Sequence, residues 1–463
     1  MALNVLDPRA WVALSLALAL SAGAQSAQKA PHSPNPAPTA SAPPQNTEAD
    51  AVLLDMAEAF KRGDSKRLTQ LLPKARGHVL EPWAAYWELR ARLDQASEAQ
   101  VRDFLTRYAH SYQEDRLRND WLLLLGSRRD WTTLAQEHPH YRMRDDREVQ
   151  CYVSLVDFLR SGPQSDPALP EEVYRLWLAQ REGDDGCALA ADRLFDAGKL
   201  SAAQIWRKAR IATDSGRSRS AKQALEIVQP ASVREWAQVW AQPSKWLGHH
   251  ASNPRAASSE MAVLALLRSV SMEPEQASRV LRTVWQPVLS AEQRDWIWGA
   301  LGRQSAMRLD DDAMGFFDKV SQPAHLSDDM LSWLVRAALR AERVPQWKKV
   351  DEAIRAMSPA HRQDPSWVYW LARAHKALHP PQHPQHQAAL KALESIAGIR
   401  GFYEQLALEQ LGRKVTVPAR PEPPTDIEAV AVRQNPSLKR ALYAIGMGLR
   451  AEGVRDRKST RLN

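Results

Sequence analysis

Glycine is scarce in this chain, 19 in 463 residues. No stretch sustains the apolar–polar alternation of a half-buried strand. Those two shortages exclude a β-built fold and leave helix. No segment beyond the N-terminus is long and apolar enough to cross a bilayer, which takes about 20 residues. A nucleophile elbow, a phosphate-cradling glycine loop, an HExxH helix and a zinc-type cysteine set are all missing. No convergent polar constellation marks a small-molecule site either. The expectation is therefore a chain with no catalytic, cofactor-binding or metal-binding residues of its own. Cysteine is limited to Cys151 and Cys187.

What is present begins with an export signal. Arg9 gives a positive flank, residues 10–20 are apolar apart from Ser15, and Ala22-Gly23-Ala24 supplies the small residues of a cleavage site. Residues 1–24 read as a Sec-type signal peptide, which predicts a periplasmic protein. No cysteine follows the apolar run, so a lipid anchor is not expected. Residues 25–48, rich in proline, alanine and serine, bury too little to offset the entropy of ordering and read as a tether. The formal charge is +8, a balance that suits an anionic polymer but identifies none. Nucleic acid is not an expected partner.

From residue 49 to 414 helical hairpins follow one another. One pair shows the pattern. Ser327 reads as an N-cap, with Asp328 and Asp329 in the first turn where carboxylates suit the positive helix end. Met330, Trp333, Leu334, Ala337 and Ala338 then form one apolar stripe. After a break at 341–343, Pro345 fits a first helical turn, and Trp347, Val350, Ile354 and Met357 form a second stripe. Two antiparallel helices joined so tightly bury their stripes against each other and the next pair. Helical periods recur over 173–180, 187–195 (with Gly198 placed as a C′ glycine), 200–212, 220–228, 261–270, 277–288, 291–307 and 313–320. Hairpins of roughly 30–40 residues without a fixed consensus predict an all-α fold, an irregular α-solenoid or superhelix of the tetratricopeptide-like sort. The four prolines within 415–425 separate it from a second small helical region at 426–455.

Several residues invite chemistry and read more simply as structure. His379, His383 and His386 in HPPQHPQH have metal-ligand spacing, but the prolines favour a polar loop; His249-His250 reads as a loop too. Asp184-Asp185, Asp310-Asp311-Asp312 and Asp328-Asp329 precede helices and read as caps and first-turn charges. The tryptophans, 17 in all, fall on the apolar stripes (Trp206, Trp333, Trp347 and Trp370 among them), so core packing is expected ahead of a sugar-stacking platform. In an oxidising compartment Cys151 and Cys187 are expected to be bridged, with two free buried thiols as the alternative.

Three segments resemble soluble lytic transglycosylases of Gram-negative bacteria. They are RLRNDWLLLLGSRRDW (116–131) with the cysteines in CYVSL and CALAADRLF, WVYWLARA (367–374), and RGFYEQLALEQLGR (400–413). The match runs loosely from about Asp50 to Arg455 and is strongest in the third segment. The tether and HPPQHPQH depart from the pattern, both as loop features. The resemblance implies a superhelical U-type domain over 49–414 and the beginning of a superhelical linker domain over 426–455, together forming a ring that carries a lysozyme-like catalytic domain. It implies peptidoglycan glycan strands and that catalytic domain as partners. Such enzymes cleave the MurNAc–GlcNAc bond without water to give 1,6-anhydromuramyl products, one glutamate serving first as acid and then as base. The family's catalytic glutamate is followed by serine and later by Gly-Leu-Met-Gln. Glu394-Ser395 lacks that context, so the catalytic domain is expected to be missing and the chain inactive alone. Residues 444–455 read as an amphipathic helix in mid-stride. Residues 456–463, DRKSTRLN, have no apolar period, match one reading frame of a common short-read sequencing adapter, and read as a non-native tail. A free-standing periplasmic scaffold for other proteins is the alternative function.

Overall fold

In the computed structural model, residues 47–341, 344–416 and 418–459 are described, and every element among them is a helix or a helical turn. The signal peptide and nearly all of the tether lie outside the described residues, as do 460–463. The first helix, Thr47–Lys61, starts slightly ahead of the expected boundary.

The pattern of the worked hairpin holds. Ser327 Oγ accepts the Met330 N–H at 3.2 Å, opening the helix Asp328–Leu339. Met330, Leu334, Ala337 and Ala338 are buried, and so are Leu331 and Val335, because hairpins pack on both sides of the helix. Gly198 takes φ 67° just past the helix Asp185–Asp196. Pro345 differs from expectation: its helix begins at Trp347, so it lies before the first turn. The run expected over 277–288 is a helix, Pro274–Val280, that continues as one π turn, Leu281–Trp285. Residues 444–455 are not one helix. Pro436–Gly446 ends, Gly448 turns the chain at φ 87°, and Arg450–Ser459 runs back. Gly453 permits that return, since a Cβ there would sit 2.5 Å from the Ala441 carbonyl oxygen. The second helix runs on through Asp456, across the boundary drawn for the tail.

Three apolar cores follow one another. The first spans residues 53–156 and takes in Tyr443, Ala444 and Leu449 as well, the second lies within 151–374, the third within 369–407. Two helices join them by burying opposite faces in different cores. In Arg147–Ser161, Val149, Tyr152 and Val156 face the first core, while Cys151 and Leu155 face the second. Pro365–Leu378 repeats the device with Trp367 and Ala374 against Tyr369 and Ala372. Every described tryptophan is buried or half-buried.

Buried ions bridge the hairpins. Arg118 joins Glu114 (2.6 Å) to Glu137 (2.5 Å), and Asp115 accepts the backbone N–H groups of Arg142 and Met143 at 2.8 Å each. Arg210 holds Glu260 and Glu292. Asp295 accepts from Ser321, Gln322 and His325. Arg303 pairs with Asp214 at 2.8 Å. Burial raises the Asp214 carboxyl to about 6, with Arg303 opposing and Asp329 adding to the rise.

Cys151 and Cys187 are joined, Cα–Cα 4.9 Å, closing a loop across a sequence separation of 36. Removing a bridge of that span is expected to cost about 3–4 kcal/mol in the chain-entropy account. Urea unfolding of the Cys151→Ala, Cys187→Ala protein measures it, and an unchanged midpoint would contradict it. For Asp214 the native state holds its proton more tightly than the unfolded chain. Its contribution is complete below about pH 4 and is lost as pH rises through about 6. Asp214→Asn should therefore gain on the parent protein between pH 4.5 and 7.5, by up to about 3 kcal/mol. A pH-independent difference in urea unfolding would overturn this.

Candidate functional site

The hairpin Pro436–Gly446 with Arg450–Ser459 does not continue the stack outward. It packs on the first hairpins: Tyr443, Ala444 and Leu449 belong to the same apolar core as Leu53, Trp83 and Trp121. The first and last described hairpins meet there, so the described residues close into a ring.

A buried polar cluster fastens the seam. Tyr443 Oη donates to Asp50 Oδ1 at 2.8 Å across 393 positions, and His78 Nε2 lies 2.9 Å from the same oxygen. His78 Nδ1 accepts the Leu80 N–H at 3.0 Å, which leaves the ring proton on Nε2, pointing at Asp50. The His78 and Tyr443 rings meet edge to face at 5.3 Å. Each group thus orients the next, and the donor and acceptor roles are complementary. Nearby, Asp456 accepts from Trp83 Nε1 (3.2 Å), Gln113 Nε2 (3.0 Å) and Arg440 (3.3 Å).

Beside the seam lies a cleft of about 620 Å³. Phe60, Trp83, Trp87 and Tyr112 supply aromatic walls, and Arg90, Arg116 and Arg455 supply guanidinium groups. Asp120, at its floor, is bound by Tyr86 Oη (2.8 Å), Arg90 Nε (3.1 Å) and Arg116 Nη2 (3.5 Å). Burial, then the Asp120 charge, raises the Tyr86 phenol far above its ordinary value, so it stays a donor. Burial alone would lower the Arg116 guanidinium; Asp120 and Tyr86 outweigh it and raise it. The cleft can bind an anion against aromatic surface.

A second notch, lined by Lys208, Arg181, Arg217 and Arg303, is cationic by sequence but mostly satisfied. Lys208 Nζ donates to the Trp177 and Gln180 carbonyls, and burial lowers it to about 8. Arg303 is held by Asp214 and Asp329, and Arg217 by Glu182.

The other singled-out residues are structural. Asp184 Oδ1 caps its helix through the Cys187 N–H at 2.7 Å, while Asp185 pairs with Arg129 and Tyr152. Asp312 precedes a helix without capping it and accepts from Ser305 instead. The HPPQHPQH stretch is a loop only in its first half. Pro384 opens the helix Pro384–Ile396, its missing N–H costing nothing at the first position. His379 and His383 stack at 4.1 Å, and His386 Nδ1 meets the His379 carbonyl at 3.0 Å. Among the described residues no three His, Cys, Asp or Glu side chains could share a metal ion. His249 ends the helix Pro243–His249, and His250 follows it as the cap. Glu394 pairs on the surface with Arg413. Glu148 is raised by burial and by Asp184, and its carboxylate accepts the Asp185 and Gly186 N–H groups as a cap. The seam residues carried no signal in the sequence, since partners so far apart share no period or motif.

No protein-family model matches the chain, and no curated protein matches it. Solved structures do. An inactive mutant of the lytic transglycosylase Slt from Pseudomonas aeruginosa matches over 88% of this chain and 65% of its own, at 22% identity and TM-score 0.49. The 70 kDa soluble lytic transglycosylase from Escherichia coli matches over 89% of this chain and 65% of its own, at 16% identity and TM-score 0.45. A complex of the 70 kDa soluble lytic transglycosylase with bulgecin A matches over the same shares at 16% identity and TM-score 0.44. The chain thus spans about two thirds of the length of these structures, to which its helical fold is similar.

Tyr443→Phe should weaken the seam alone. A buried hydrogen bond to a charged group contributes about 1.5–3 kcal/mol, so amide exchange in Pro436–Gly446 should speed up by about ten-fold or more. Exchange in Ala291–Arg308, remote in the ring, should not change. Equal acceleration in both helices would show that the seam does not open separately.

Proposed function

We propose that the chain is the non-catalytic superhelical part of a periplasmic peptidoglycan lytic transglycosylase acting in cell-wall turnover. The observation that carries this reading is the seam, where Tyr443 of the last hairpin bonds to Asp50 of the first helix and turns a solenoid into a ring. A ring of rigid hairpins is a frame that can hold a polymer chain and a catalytic domain in fixed relation. The third resembling segment supports the reading. Its Glu404 carboxylate accepts the Gly401 N–H at 3.0 Å where the helix Phe402–Gln410 opens, and Tyr403 adds its ring to the cluster with Tyr369 and Trp370.

Exposed apolar side chains fit the same reading. Phe402 is 69% exposed, Ile427 82% and Leu442 61%, and the helix Asp426–Gln434 buries no residue at all. On this reading the catalytic domain covers part of that surface. It brings the single glutamate that protonates the leaving oxygen between MurNAc and GlcNAc. The same carboxylate then removes the proton of the sugar's own hydroxyl as the 1,6-anhydro ring closes. No residue of this chain is assigned to that step, and the chain alone is inactive on this reading. The alternative, a free-standing scaffold, takes the same apolar surface as a protein-binding face.

Purified chain incubated with peptidoglycan sacculi tests both. The expected result is co-sedimentation with sacculi and no release of 1,6-anhydro muropeptides. Release of such products by the chain alone would overturn the assignment of chemistry to another domain. Failure to sediment, together with recovery of defined protein partners, would favour the scaffold.

A further inference from the structure

The third apolar core is small, built on Tyr369, Ala372, Ala389, Leu393 and Ala407. The turn that lays the helix Pro384–Ile396 back on Pro365–Leu378 therefore leans on polar contacts, and imidazole rings supply three of them. His379 is the C-cap of the first helix and His383 the N-cap of the second. Their rings stack at 4.1 Å with an interplanar angle of 11°. His383 Nδ1 accepts the Gln385 N–H at 3.2 Å, so the proton of the neutral ring sits on Nε2. His386 Nδ1 lies 3.0 Å from the His379 carbonyl oxygen, which can only accept, so that ring donates.

We propose that the His379–His383 stack is an acid-sensitive latch in the ring. It is closed while the two rings are neutral, and proton uptake releases Pro384–Ile396, with Phe402–Gln410 behind it, from the main stack. Two physical reasons carry this. A protonated His383 bears hydrogen on both ring nitrogens and can no longer accept the Gln385 N–H, and its charge faces the positive end of the helix it caps. Two imidazolium rings stacked at 4.1 Å also repel, and both rings are half-buried, where water screens them less than in the open chain.

The groups around the stack do not offset that repulsion. On the helix Trp347–Ala356, Asp351 Oδ1 is already held by His375 Nε2 and by Arg355 Nε, each at 2.8 Å. From Pro359–Arg362, Arg362 turns to the Arg355 carbonyl at 3.4 Å. From Phe402–Gln410, Gln410 Oε1 takes the Lys376 ammonium at 3.1 Å. Desolvation, then the neighbouring His383 and His375, lowers the His379 imidazole; Asp351 and the negative end of its own helix oppose, while Arg355 adds to the lowering. The closed joint thus holds the His379 proton less tightly than the open chain. Its contribution to closure is complete above about pH 7.5 and is lost as pH falls from about 6.5 through the lowered value. The joint lies between the main stack and the segment that leads to the closing hairpin. Its release slackens the ring at a second place, away from Asp50 and Tyr443.

Amide exchange of the full chain between pH 7.5 and pH 5, corrected for the intrinsic pH dependence of exchange, tests the latch. Exchange in Pro384–Ile396 should speed up by about five-fold or more on acidification, the worth of one helix N-cap. Exchange in Ala291–Arg308 should hold steady. Asparagine caps a helix without titrating, so His383→Asn should keep the parent Tm at pH 7.5 and lose most of the acid response. His379→Asn, which removes the stack from the other side, should blunt the response too, and serves where His383→Asn lowers the Tm.

An acid response of full size in both variants overturns the proposal. Equal acceleration in Pro384–Ile396 and Ala291–Arg308 means that acid unfolds the whole ring, and overturns the latch. So does an unchanged rate in Pro384–Ile396 down to pH 5.

Discussion

Stacked helical hairpins leave a raw apolar face at each end of the stack, and here the first of those faces is covered by the hairpin Pro436–Gly446 with Arg450–Ser459. Solenoids ordinarily finish in capping repeats with a polar outer face. In this chain the first core is completed by Tyr443, Ala444 and Leu449, which arrive from the far end of the sequence. The rest of the ring depends on that closure. Without it Leu53, Trp83 and their neighbours would face water on one side, at a cost that grows with the apolar area exposed.

Closure by apolar faces alone would leave register open, because Leu- and Ala-rich stripes can slide by a helical turn, ~5.4 Å. The buried ions close that freedom. Asp115 takes two backbone N–H groups and Asp295 takes a hydroxyl, an imidazole and two backbone N–H groups, each from a neighbouring segment. Sliding by one turn would strip these carboxylates of their donors, and a buried ion without partners costs several kcal/mol. The same logic applies at the seam, where Asp50 is reached by both His78 and Tyr443. The apolar faces supply the drive to close, and the polar clusters select where.

This division explains what could be read in advance. The apolar period marks helices such as Asp328–Leu339 and Ala202–Asp214, because a one-sided stripe repeats within a few turns. Short helices such as Pro243–His249 were missed, since seven residues hold barely two turns of any period. Tyr112–Ser127 carries no clean apolar stripe for a different reason. It buries Glu114, Asp115, Arg118, Asn119 and Asp120 as well as leucines, so its inner face is partly polar. The break in residues 444–455 hung on Gly448, whose left-handed φ interrupts an otherwise helical pattern. The cleft was invisible because its residues belong to helices that are neighbours only once the ring has formed.

The way the closing hairpin is attached sets how the ring can open. The described residues within 411–425 contain no helix, and a segment of that length reaches up to ~50 Å fully extended. The helix that follows, Asp426–Gln434, buries nothing. The segment that leads into Pro436–Gly446 therefore adds little to what holds it in place, whereas its own partner helix is locked to it by the close approach at Gly453. Departure of the hairpin as a folded unit would break only the seam contacts. Its opening free energy is then a fraction of that for unfolding the protein, the condition under which a local element equilibrates independently of the global fold. An equilibrium of that kind responds to modest differences in affinity between its two states. Asp50, His78 and Tyr443 sit where such differences take effect, because theirs are bonds that exist in the closed ring and not in the open one.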